Sequence, residues 1–213
     1  MKKLSNSLLL MLLASAFLMF ACGGDDERPK NQFSAEGDSY KLSKSYSVLA
    51  DQIEDEDGND IYIHYVYLVG DGLDVDVEGG NIELSGEGNI LAFGLISSDD
   101  DLAEGTYEFG GGAEAGVVGE SLIYSDYNPN SGEYDRIFGA IEGTIKVSKS
   151  GGKTTFKINV TEFATLDEEG DEVEGEGSLK GYFNGKVTVI EFEEEPARKS
   201  KNFNNPFTKG FNF

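Results

Sequence analysis

Between Ile141 and Phe163 the chain reads IEGTIKVSKSGGKTTFKINVTEF, with apolar and polar residues alternating on both sides of a glycine-rich centre. Successive side chains on a strand point to opposite faces, so alternation at this period specifies a strand with one buried face. A helix would need apolar residues about every 3.6 positions, and this stretch does not supply them. Ile141, Ile145 and Val147 share one face, while Glu142, Thr144, Lys146 and Ser148 share the other. After KSGGK the chain returns with Phe156, Ile158 and Val160 inward. Two alternating runs joined through glycines predict a β-hairpin.

The same pattern recurs along the chain. LDVDVEGGNIELSG sets Leu73, Val75 and Val77 on one face, turns at Gly79-Gly80-Asn81 and returns through Ile82 and Leu84. GNILAFGLISS followed by GTYEFG predicts a third pair. DIYIHYVYLVG is apolar on both faces, as suits a central strand covered on two sides. YKLSKSYSVL, ESLIYSDY and GSLKGYFNGKVTVIEFE complete about ten strands. Short polar loops join the runs, and no stretch sustains a helical period. The fold class expected is all-β: a single antiparallel meander of about ten strands that curls into a barrel or splits into a β-sandwich. With one cysteine in 213 residues no internal disulfide can form, so packing must hold the fold.

That cysteine lies in FLMFACGGDDE, from Phe17 to Glu27. Lys2 and Lys3 precede an apolar run from Leu8 to Ala21 that is broken only by Ser15. The run is shorter than the roughly 20 residues a membrane helix needs, and it reads as an export signal cut between Ala21 and Cys22. The stretch resembles the lipobox of bacterial lipoproteins. That resemblance implies a lipid on Cys22 and a mature chain anchored in a membrane. The acidic cluster Asp25-Asp26-Glu27 resembles the surface-export signal of Bacteroides-type lipoproteins. NQFSAEGDSYKLSKSY, LAEGTYEF and GTIKVSKSGGKTTFKINV resemble a group of small Bacteroides-type surface lipoproteins of unknown function. That likeness implies a calycin-like barrel or β-sandwich and brings no catalytic residues with it. The divisions expected are a signal peptide over 1–21, an acidic tether over 22–30, an all-β domain over 31–195 and a basic, Phe- and Asn-rich tail over 196–213.

The formal net charge is −23, which repels nucleic acid and anionic membranes. The only histidine, His64, sits in the densest apolar strand and reads as a packing residue, since catalysis or metal binding needs partners for it. There is no GxSxG, P-loop or dinucleotide fingerprint. Asp74, Asp76 and Glu78 share one strand face about 7 Å apart, within reach of a glycosidase pair, and read first as a solvated face. In DQIEDEDGND, Asp55, Asp57 and Asn59 have the first-third-fifth spacing of a calcium loop. Asp60 stands where that loop needs glycine, so a loose calcium site on Asp55, Asp57, Asn59 and Asp60 is the one metal reading, and no other cofactor is called for. LDEEGDEVEGEG reads as an exposed loop of an acidic hairpin. Tyr124, Tyr127 and Tyr134 flank NPNSGE and form the candidate exposed platform for stacking on a glycan.

These observations together suggest a lipid-anchored outer-membrane surface protein with a non-catalytic binding or interaction role. Its partners would be the membrane, through Cys22, and a glycan or a protein, with nucleic acid excluded. The rival readings are a calycin-like carrier of a small apolar ligand and a glycan-active enzyme with paired carboxylates.

Overall fold

The computed structural model describes residues 30–190, apart from 56, 79, 80, 111, 113 and 167–171. The expected signal segment with Cys22, most of the expected tether, the acid-rich centre of LDEEGDEVEGEG and the segment 196–213 lie outside the described residues.

The alternating segment at 141–163 lies in the hairpin β10 (Arg136–Ser150) with β11 (Lys153–Leu166). Ser150 pairs with Lys153, so the loop is only Gly151 and Gly152, at φ of 59° and 73°. A two-residue hairpin turn of this hand needs positive φ at both central positions, which glycine adopts without a Cβ clash. Ile145, Val147, Phe156, Ile158 and Val160 are all buried, as the alternation predicts.

Ile141 is not: it is 50% exposed. The ladder shows why. Ala140 opposes Phe163, Glu142 opposes Glu162 and Gly143 opposes Val160, so the register slips in both strands. In β10 the inward set changes from Phe138 and Ala140 to Ile145 and Val147 across this slip. In β11 it changes from Phe156, Ile158 and Val160 to Phe163. A bulge turns every later side chain to the other face and bends its strand. Gly143 lies at the bend with φ 139°, where a Cβ would stand within 2.2 Å of the Asn159 carbonyl oxygen.

Around this bent hairpin the chain closes a barrel. β3 (Lys44–Glu54) pairs with β4 (Asp60–Val69), β4 with β7 (Gly88–Ser97), and β7 with β9 (Val117–Tyr127), all antiparallel. β9 reaches β10, and β11 pairs with β12 (Glu172–Gly185). After Lys186, β13 (Val187–Ile190) runs parallel to β3 and completes the ring. The short hairpin of β1 (Gln32–Ala35) and β2 (Asp38–Lys41) lines the other part of β12. Its loop, Glu36-Gly37, has both φ values positive, at 52° and 93°.

Two features differ from a simple meander. β13 and β3 are parallel, as is the end of β8 (Gly105–Phe109) against β9. The expected pair of GNILAFGLISS with GTYEFG does not form: β7 takes the long strands β4 and β9 as neighbours, and short β8 pairs with β10. A strand buried on both faces gains most from long partners on both edges. A five-residue strand fits only where β9 and β10 diverge. Periodicity reports faces and is silent about partners.

The pleat sorts the apolar residues into two clusters. Val66, Leu68, Leu91, Phe93, Leu95, Ile123 and Phe138 point into the barrel with the aromatic rings of β11 and β12. Their chain neighbours Tyr67, Val69, Ile90, Ala92, Tyr124 and Ile137 point outward and form a second cluster. Leu73, Val75 and Leu84 of the hairpin β5 (Leu73–Glu78) and β6 (Asn81–Gly86) pack on this outer cluster. β5 and β6 pair only with each other, as a separate two-stranded sheet. The central strand β4 is thus covered on both sides, in agreement with its doubly apolar sequence.

Candidate functional site

Six of the ten tyrosines belong to the outer cluster. Tyr67 and Tyr124 are buried there, and Tyr46, Tyr65, Tyr127 and Tyr134 are half-buried at its margin. The local folding of NPNSGE brings three of them together. The Asn128 and Gly132 amides donate to the Glu133 and Asn128 carbonyls, both at 2.8 Å. The Asn128 side-chain oxygen accepts from the Asn130 amide at 3.0 Å, a common device by which asparagine shapes a turn. This tight loop returns Tyr134 beside Tyr127, both against Tyr124, with ring centroids 4.9 Å apart for Tyr124–Tyr127 and 5.5 Å for Tyr124–Tyr134.

The three tyrosines expected to stand exposed around this loop are therefore together but not equally exposed. Tyr124 is only 7% exposed. It does point away from the barrel interior, but a second apolar layer covers that face. Tyr127 and Tyr134 are half-buried, with the Tyr134 hydroxyl itself turned inside, and Tyr46 and Tyr65 lie half-buried beyond them. Burial pushes the phenols of Tyr124 and Tyr127 above their usual range, helped at Tyr124 by its tyrosine neighbours. Such groups stay neutral at physiological pH. The half-buried Tyr127 ring can stack on a polar ligand and exchange hydrogen bonds with it, and neither phenol can act as an anionic nucleophile.

In the loop of the calcium reading, the Asp55 carboxylate already has partners within the turn. The Asp55 carboxylate accepts from the Asp57 amide at 3.0 Å, the Asn59 amide at 2.8 Å and the Asn59 side-chain amide at 3.0 Å. These bonds, the Asn59 side chain's first, hold its pKa below the usual carboxylate value. Asp55 is occupied in closing the turn around Gly58, and Asp57, Asn59 and Asp60 are exposed. Among the described residues no three acidic, histidine or cysteine side chains gather to hold a metal.

Of the paired carboxylates, Asp74 and Asp76 are exposed on the outer hairpin. Lys44 donates to Asp74 at 2.5 Å. The Glu78 side chain lies outside the description. Sequence reasoning missed a larger charge cluster at Arg136, which bonds Glu36 at 2.5 Å and lies 3.7 Å from Asp38 and 3.9 Å from Asp135. Its members come from β1–β2 and β10, a hundred residues apart, so no local signal announces it.

His64 is 3% exposed on the inward face of β4, with Nε2 3.2 Å from the Asp99 carbonyl. The loop above it is closed by Ser97, whose hydroxyl accepts from the Asp99 amide at 3.2 Å and the Ala103 amide at 3.3 Å. Tyr107 donates to the Ala103 carbonyl at 2.9 Å. Burial lowers the His64 pKa, outweighing the Asp99 carbonyl bond and the nearby Asp101 and Asp100 that raise it; Lys149 adds to the lowering. The unfolded chain therefore takes up its proton first as pH falls. The stability tied to neutral His64 is complete above about pH 6.5 and drains away as pH falls through the folded value. A melting temperature that declines from pH 7 to 5.5 in the parent, and much less in His64→Gln, is the expected result. Equal slopes in both would remove His64 as the cause.

The chain matches no protein-family model, no curated protein and no solved structure, so the site rests on its own geometry.

Proposed function

We propose that this chain is a lipid-anchored protein of the bacterial outer surface, binding a glycan or protein partner without catalysis. The observation that carries the binding role is the tyrosine face beside the 128–133 loop. Rigid amphipathic rings give much contact area for little lost entropy, which is why tyrosine is enriched at interfaces. Neutral phenols at the margin of a packed layer suit a sugar, whose faces stack and whose hydroxyls pair. The lipobox-like ending at Ala21-Cys22 supports the anchor, and the acidic tether supports display at the surface. The rival carrier reading would need the inward rings, which now touch one another as one cluster, to part around a ligand.

Fractionation and binding test the two halves of this reading. Cys22→Ser is expected to move the protein out of the membrane fraction. If the variant stays there as firmly as the parent, the anchor is lost as an explanation. Retardation in gels cast with surface polysaccharide, or capture of a surface protein, is expected to fall at least about tenfold in Tyr127→Ala with Tyr134→Ala. Equal binding by parent and variant would remove the tyrosine face from the function.

A further inference from the structure

We propose that the loop 98–104 is an acid-released cap on one end of the barrel, with His64 as its catch. The proposal does not depend on the tyrosine-face reading. The loop joins the end of β7 at Ser97 to the start of β8 at Gly105. Its Leu102 is 7% exposed and belongs to the inner cluster with Leu95 and Tyr107, whereas Ser98, Asp99, Asp100 and Asp101 are exposed. One apolar side chain therefore enters the barrel while an acidic run stays in water.

The ties of this loop to the body run through side chains. The Ser97 hydroxyl accepts from the loop amides of Asp99 and Ala103, and Tyr107 of β8 donates to the Ala103 carbonyl. The Glu104 carboxylate accepts from the Lys149 amide, near the end of β10. The remaining tie is the Asp99 carbonyl, 3.2 Å from Nε2 of His64. A carbonyl can only accept, so Nε2 carries the proton of the neutral ring. Segments held in this way, without a strand ladder, open locally at lower cost than the sheet around them.

His64 is the member of this set whose charge changes close to neutral pH. Burial pushes the Tyr107 phenol above its usual range, so it stays neutral. A second proton on His64 would put a full charge on a ring that is 3% exposed. Its cross-strand partners are Leu49 on β3 and Leu95 on β7, and neither can take up that charge. Burial lowers the affinity of the ring for this proton; the Asp99 carbonyl, Asp101 and Asp100 raise it, and Lys149 lowers it. Burial wins while the loop is closed. With the loop open the ring would meet water and return to about 6.5. The open form therefore takes the proton first. Opening is insensitive to pH well above 6.5, becomes easier as pH falls below it, and levels off once the closed ring also titrates. Asp100 and Asp101 lie on the moving piece and can follow the imidazolium as it emerges. Opening withdraws Leu102 from the inner cluster, so mild acid would expose apolar side chains at one end of a barrel whose sheet stays paired.

Hydrogen exchange of the full chain tests this, with rates at pH 7.5 and 5.5 each divided by the intrinsic rate at that pH. The amides of 98–104 are expected to exchange at least about fivefold faster at the lower pH, while those of Ile145, Val147, Phe156 and Ile158 keep their protection. His64→Gln can still donate to the Asp99 carbonyl but takes up no proton, and it should abolish the difference. A loop rate that pH leaves unchanged, a rise shared by β10 and β11, or an equal rise in His64→Gln would each overturn the proposal. If the variant does not fold, the parent still decides. His64 is the only histidine, so its imidazole resonances can be titrated directly. The closed loop requires them to titrate below about 6.5, and titration at or above that ordinary value would overturn the catch.

Discussion

Replacing Gly143 with alanine is expected to destabilise the domain by about 3 to 5 kcal/mol, read as a lower urea midpoint with an unchanged slope. Two effects combine. A side chain at φ 139° occupies a region that L-residues rarely adopt. Such strain costs of order 1–3 kcal/mol. The new Cβ would also stand 2.2 Å from the Asn159 carbonyl oxygen and 2.7 Å from the Val160 Cα, both backbone atoms that cannot swing aside. Overpacking of this kind adds roughly 1–3 kcal/mol. Gly151→Ala is the control. Its φ is also positive, at 59°, but no atom lies within 4 Å of the added carbon. The cost there should be only about 1–2 kcal/mol. If the two alanines cost the same, the bend at Gly143 is not held by close contact. Domains are stable by about 5–15 kcal/mol, so the Gly143 variant would lose a large share of the total.

Phe163→Ala is the second large effect, at about 3–5 kcal/mol. The ring is 2% exposed and lies edge-on to Phe138, with centroids 5.0 Å apart. Its cross-strand partner is Gly177, where a Cβ would stand 2.3 Å from the ring. The ring thus covers the backbone of the facing strand and fills the space a side chain would occupy. When the ring is removed, glycine has nothing with which to fill the hole. The pairing makes a sharper test than either change alone. Gly177→Ala should be harmful beside Phe163 and close to neutral beside Phe163→Ala. A double-mutant cycle is expected to give a coupling of about 1–3 kcal/mol. A coupling near zero would mean that the ring and the glycine do not depend on one another.

The local elements were legible in the sequence because they rest on short-range rules. Gly151-Gly152 marks a turn, and Ile145, Val147, Phe156 and Ile158 mark a face. What was not legible lies at longer range. Ile141 looked inward because alternation was carried through Glu142-Gly143, where the register slips. Once the slip is known, the glycine next to an exposed isoleucine is the signal that could have located it. β8 was assigned to β7 because it comes next in the chain. Tyr124 looked exposed because it flanks the NPNSGE loop, and nothing in one strand reveals that β5 and β6 cover its side. The tyrosine face itself left a partial trace: Tyr65 and Tyr67 stand two apart in β4, on one side of a strand that is apolar on the other. Tyr46, Tyr127 and Tyr134 join them only through the fold.

The parallel ladder between β13 and β3 has a consequence in time. Val187 lies beside Ser45, and Gln32 beside Tyr182, so each closing contact joins residues about 140 to 150 positions apart. A ribosome or a secretion channel delivers the first of these partners long before the last. Until about residue 190 has emerged, β3 has one edge open and the ring cannot form. Pairing across such separations is slow in general, because the intervening chain must be ordered first. The early strands would therefore wait for their last partner, and the barrel would close only once its last strand arrives.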